Sequence, residues 1–86
     1  MSPRPPVKDP QSVVKDFDAF YHKKLQEKGP GIFYSSHEIL GVLSEEVAEF
    51  EREVHVNNKD AQIQELFDIA VVAMHGIASL KSGKME

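Results

Sequence analysis

Glu65-Leu66-Phe67-Asp68-Ile69-Ala70-Val71-Val72-Ala73-Met74-His75-Gly76-Ile77-Ala78-Ser79-Leu80 is the stretch on which the fold turns. It contains no proline, and its length suits a helix rather than a strand. After Glu65 it is apolar nearly all round, the pattern of a helix buried on every side. A chain of 86 residues offers too little else to bury such a helix, so a second subunit is expected to cover part of it. Ala70, Ala73 and Gly76 are small enough to let another helix approach closely. Within this apolar setting Glu65 and Asp68 stand three residues apart, which places them on neighbouring faces of one helix turn.

Upstream, Asn57-Asn58-Lys59-Asp60 is a turn with a choice of N-caps. The helix is therefore expected from about Asp60 to Leu80, with Ser82-Gly83 ending it and Lys81 and Lys84 suited to its negative end. Before the turn, Ser35-Ser36-His37-Glu38 has the form of a capping box, opening a helix from about Ser36 to Val56. With Ile39 set at zero and about 100° per residue, Ile39, Leu43, Val47, Phe50 and Val54 span roughly 0° to 80°. Val42, Glu46, Glu49 and Glu53 span roughly 280° to 340° on the same wheel. The acidic strip thus flanks the expected core face, whereas a merely solvated one would lie opposite.

Asp9-Pro10 predicts a first helix from Pro10 to about Lys28, with Asp9 as N-cap. Val13, Val14, Phe17, Phe20, Tyr21 and Leu25 form one face of it, and Gly29-Pro30-Gly31 stops it. Residues 1–8 are proline-rich and read as a disordered arm, leaving 9–86 as one helical domain. No repeat and no strand-period segment is visible. The expected class is all-α: a three-helix protomer forming a helical bundle completed by oligomerisation, as a homodimer or homotetramer.

The absence of cysteine excludes a disulfide framework, a thiol nucleophile and a thiolate-bound zinc. Ten basic and fourteen acidic side chains give a net charge of −4. Without Glu46, Glu49, Glu65 and Asp68 the count is ten against ten. That balance gives no encouragement to binding of a nucleic-acid polymer. The longest apolar stretch, Ile69 to Leu80, is twelve residues long, too short to cross a bilayer. With no signal-like segment either, a cytoplasmic protein with no membrane partner is expected.

Two acidic clusters remain: Glu45-Glu46-Val47-Ala48-Glu49 and Glu65-Leu66-Phe67-Asp68. On antiparallel helices they would aim Glu46, Glu49, Glu65 and Asp68 at one point. Two carboxylates about 6 Å apart repel by roughly 3 kcal/mol at an effective dielectric near 20. Either some stay protonated or a hard cation with oxygen ligands joins them, magnesium above all. The bland alternative is a solvated acidic face paired with Lys24, Arg52 and Lys59. A di-iron carboxylate bundle needs Glu-x-x-His pairs, and the sequence has none.

An EExxE cluster followed by ExxD resembles the MazG-like, all-α nucleoside triphosphate pyrophosphohydrolases. The framing His37-Glu38-Ile39-Leu40-Gly41 and Ile69-Ala70 is similar too, and the likeness covers roughly Ser35 to Leu80. The resemblance implies magnesium, with manganese a possible substitute, held by Glu46, Glu49, Glu65 and Asp68. It implies catalytic roles for Glu45 and Glu46, with Glu45 helping to hold a second ion or the attacking water. It implies hydrolysis of a nucleoside triphosphate, often non-standard or deoxy, to the monophosphate and pyrophosphate. A phosphoribosyl-nucleotide pyrophosphatase is a related possibility. The chain departs from the family in that Asp68 is followed by apolar residues, then His75, Lys81 and Lys84, where many members carry Asn and Lys or Arg.

Tyr21, Lys24, Tyr34, His37 and His75 are candidate substrate contacts. Each has a plainer reading: Tyr21 as core, Lys24 as a solvated helix end, His37 as an exposed first-turn residue, His75 as a structural hydrogen-bonder. Glu53 reads as an extra ligand or a surface residue. A non-catalytic helical oligomer retaining a vestigial or structural metal site is the alternative from outside the enzymes.

Overall fold

Three side-chain caps bound three helices in the computed structural model, which describes residues 3–85. They are α1 (Pro10–Lys28), α2 (Ser36–His55) and α3 (Lys59–Ser82). Asp9 accepts a hydrogen bond from the Ser12 N–H at 3.2 Å, Ser35 Oγ from Glu38 N–H at 3.2 Å, and Asn58 from Ala61 N–H at 3.1 Å. The capping box differs from expectation in one respect. Glu38 reaches back to the N–H of Tyr34, at 2.7 Å, rather than to that of Ser35. Gly83 closes α3 at φ 70°, a conformation that suits glycine. Pro3 to Lys8 are exposed and carry no helix or strand, while Met1, Ser2 and Glu86 lie outside the described residues.

The all-α class holds: among the described residues there is no strand. α2 and α3 form an antiparallel pair. At one end Gly76 faces Ile39 so closely that a Cβ would sit 3.2 Å from Ile39 Cγ2. At the other, Gln62 Nε2 donates to the Glu53 carbonyl at 3.1 Å. α1 packs on α3 through aromatic rings, with Phe17 and Phe20 against Phe67 at centroid separations of 6.3 and 5.4 Å. α1 approaches α3 but not α2, and that gap becomes a cleft.

Two expectations about faces change. On α2, Val47 and Val54 are about half exposed, at 48% and 47%. Ile39, Val42, Leu43, Glu46, Glu49, Phe50 and Glu53 are the less exposed positions. The acidic strip therefore sits in the face turned to α3, not beside it. On α3, only Val72, Gly76 and Ser79 are buried within one chain. Ile63, Leu66, Ile77 and Leu80 stand half exposed. With Ala70 and Ala73 they follow a heptad spacing, three and four residues apart, the pattern of a seam between helices. The apolar run also extends further as a helix than as a sequence segment. By length and composition alone α3 would suffice to cross a membrane, although Glu65 and Asp68 lie within it.

Ser79 is fully buried, and its Oγ accepts the Phe33 N–H at 3.0 Å, holding the α1–α2 loop onto α3. Ser79→Ala orphans that N–H and is expected to cost about 1–2 kcal/mol, read as a lower urea midpoint at unchanged slope.

Candidate metal centre

Glu46 and Glu49 are three apart on α2, and Glu65 faces them from α3. Each offers one carboxylate oxygen to a group whose members all lie within 4.8 Å of one another. Asp68, one turn along α3 from Glu65, is near enough that its charge acts on both Glu46 and Glu65, but it lies outside that group. Burial pushes the Glu46 carboxyl above the ordinary carboxylate range, and the charges of Glu49 and Asp68 add to this while Lys28 opposes it. Glu65 is raised by burial first, then by the adjacent Glu49 carboxyl and by the charges of Asp68 and Glu46.

The ion-paired alternative finds no counterpart. The ion pairs among the described residues are His22–Asp18, Lys23–Glu27 and Lys24–Glu27, none of which reaches the cluster. Oε2 of Glu46 and Oε2 of Glu65 are buried without any hydrogen-bond partner. Buried carboxylate oxygens are costly unless something satisfies them. The donors are all carboxylate, which suits a hard cation such as magnesium or manganese. Ligands on opposite sides of a magnesium ion stand about 4.2 Å apart, twice its usual bond length. Adjacent ligands stand about 3 Å apart, so the three carboxylates would have to draw together around an ion.

Beside the cluster lies a cavity of about 320 Å³ between α1, α2 and α3. Tyr21, Lys24 and Lys28 of α1, Phe33 of the loop, Val42 of α2 and His75 of α3 line it. Val42 is one helical turn from Glu46, a rise of about 6 Å, so cavity and cluster adjoin. His75 fixes the wall. Its Nε2 donates to the Gly31 carbonyl at 2.7 Å, which leaves Nδ1 to accept from the Tyr21 hydroxyl at 3.1 Å. The Tyr21 and Phe33 rings meet the His75 ring edge-on, at 6.2 and 5.4 Å.

Of the five candidate substrate contacts, Tyr21, Lys24 and His75 come together in this cavity. Tyr34, 79% exposed, and His37, also exposed, lie outside its lining. Phe33 is the loop aromatic that lines the cavity. Glu45 is exposed and outside the cluster, about 40° around α2 from Glu49. Lys28, at the exposed end of α1, also lines the cavity. Only the path of the loop after Gly29 could reveal that. Compared with models of protein families, with curated proteins and with solved structures, the chain matches none.

Proposed function

We propose that this protein is a magnesium-dependent nucleotide pyrophosphohydrolase, acting on a nucleoside triphosphate to release the monophosphate and pyrophosphate. The observation that carries the reading is the pair of buried, unpartnered oxygens on Glu46 and Glu65 within a three-carboxylate cluster. The resemblance of the two acidic clusters to the MazG-like enzymes supports the same reading. The adjoining cavity is of a size for a small-molecule site and presents aromatic and aliphatic walls suited to a base.

Glu46, Glu49 and Glu65 would hold the ion, with Asp68 completing the set. Bound magnesium neutralises phosphate charge and acidifies a water. Glu45, on the open flank, takes the proton of the water that attacks the α-phosphorus. The new bond is water oxygen to α-phosphorus; the bond to the bridging oxygen breaks, and pyrophosphate leaves. Tyr21, Phe33 and His75 position the base.

The protomer functions as a cytoplasmic homo-oligomer in this proposal, because the heptad stripe of α3 is too large an apolar surface for a monomer to leave open. The test is pyrophosphate release across ribo- and deoxyribonucleoside triphosphates, with magnesium and with a chelator. Wild type should turn over only with the metal. Asp68→Asn should lower release at least about 100-fold with helicity unchanged by circular dichroism. Full activity in that variant would remove Asp68 from the ligand set. No release from any triphosphate would leave the non-catalytic oligomer as the better reading.

A further inference from the structure

Among the described residues, one cation of the cleft lining has no ion-pair partner. Lys23 and Lys24 both pair with Glu27, at 3.9 and 3.7 Å, and Lys24 also lies 5.2 Å over the Phe20 ring. Lys28 has no carboxylate within ion-pairing distance among the described residues. It ends α1, just before Gly29 turns the chain at φ 87°, and it lines the cavity that Val42 and Val72 join to the acidic level. α1 stands off α2 along this gap. The ammonium on the α1 wall thus shares the cavity with Val42 and Val72, which lie one helical turn from Glu46 and Asp68, and its charge is felt at Glu46.

We propose that Lys28 binds the polyphosphate chain of the substrate, clamping it from α1 against the metal-bearing face of α2 and α3. The inference rests on the hydrolase reading above. It also fills a gap in this sequence, which carries no cation near Asp68 on α3: the nearest lysine downstream is Lys81. An ammonium with three donors on a flexible stem suits phosphate oxygens at a cleft mouth. A direct salt bridge to Glu46 would have closed the cleft, and the structure has none.

The experiment compares wild type with Lys28→Ala and Lys28→Arg. It reads KM and kcat for the preferred triphosphate, together with calorimetric binding of the matching mono- and triphosphates and of magnesium alone. Lys28→Ala should raise KM and weaken triphosphate binding on the order of 10- to 100-fold, the range for a hydrogen bond to a charged group. Monophosphate binding and binding of magnesium alone should change little, and Lys28→Arg should restore most of the loss. Equal losses for mono- and triphosphate would make Lys28 a wall of the pocket and overturn the proposal. So would a loss that follows weakened magnesium binding, or triphosphate affinity that stays at the wild-type level. Wild-type turnover with an unaffected Lys28→Ala variant sinks this inference alone. Wild type that neither binds nor hydrolyses any triphosphate sinks the hydrolase reading and this inference with it.

Discussion

Glu46→Gln is expected to abolish magnesium-dependent pyrophosphate release and to raise the melting temperature of the metal-free protein by a few degrees. The amide keeps the shape of the side chain and removes its charge. Loss of a direct ligand should weaken metal binding at least about 100-fold, since even outer-shell changes cost 10- to 100-fold. Without metal the same carboxylate is a liability, buried at Oε2 and crowded by Glu49 and Asp68. Function and stability therefore move in opposite directions, as they do where a site is strained for its task.

The pH dependence follows with a definite sign. Glu46 and Glu65 are raised in the fold above their ordinary value of 4.5. The folded chain then holds protons that the unfolded chain has released. Stability from these groups is fully present below pH 4.5 and is lost as pH rises through their raised values. In chelator, the wild-type melting temperature should fall over that interval, and Glu46→Gln should flatten the fall. Magnesium should restore most of the stability lost over that interval. Scanning calorimetry across pH, with and without metal, reads all of this. A Glu46→Gln variant less stable than wild type in chelator at neutral pH would contradict the crowded-carboxylate account.

Leu66→Glu is expected to convert the proposed homo-oligomer to monomer. Leu66 lies in the α3 seam with Ile63, Ala70, Ala73, Ile77 and Leu80, and an apolar groove formed by α1 and α3 runs past Val13, Val14 and Met74. Burying an unpaired carboxylate there costs roughly 3–5 kcal/mol, incurred twice in a two-fold interface. Sedimentation should show an oligomer for wild type and a monomer for the variant. The wild-type melting temperature should also rise with concentration. Gln64→Glu, on the same helix but off the stripe, should leave assembly unchanged. A wild-type monomer at all concentrations would show that the seam is not a self-association surface.

The caps and stop signals carried the helices. Asp9, Ser35 and Asn58 bind the backbone locally, and Gly29 and Gly83 end elements locally, so neighbours in sequence suffice to place them. The pairing of Glu46 with Glu49 was legible for the same reason, since three residues make most of a turn. Which face of α2 meets α3 was not legible. Hydrophobic period favoured Val47 and Val54, yet both stand half exposed while Glu46, Glu49 and Glu53 are the less exposed positions. A wheel weighs hydrophobicity residue by residue and cannot weigh the fit of two surfaces.

The same division holds for the cleft. By itself the sequence determined three helices, their ends, and the two acidic turns, because each depends on contacts within a few residues. The meeting of Glu65 with Glu46 and Glu49 was expected from the two acidic turns, but the tertiary structure alone decided that Asp68 stands outside that group, that Phe33 rather than Tyr34 lines the cavity, and that Lys28 lines it too. Those outcomes depend on side chains far apart in the chain, and on a loop held in place by Ser79 and His75. Local rules say what a segment becomes; only packing says what it faces.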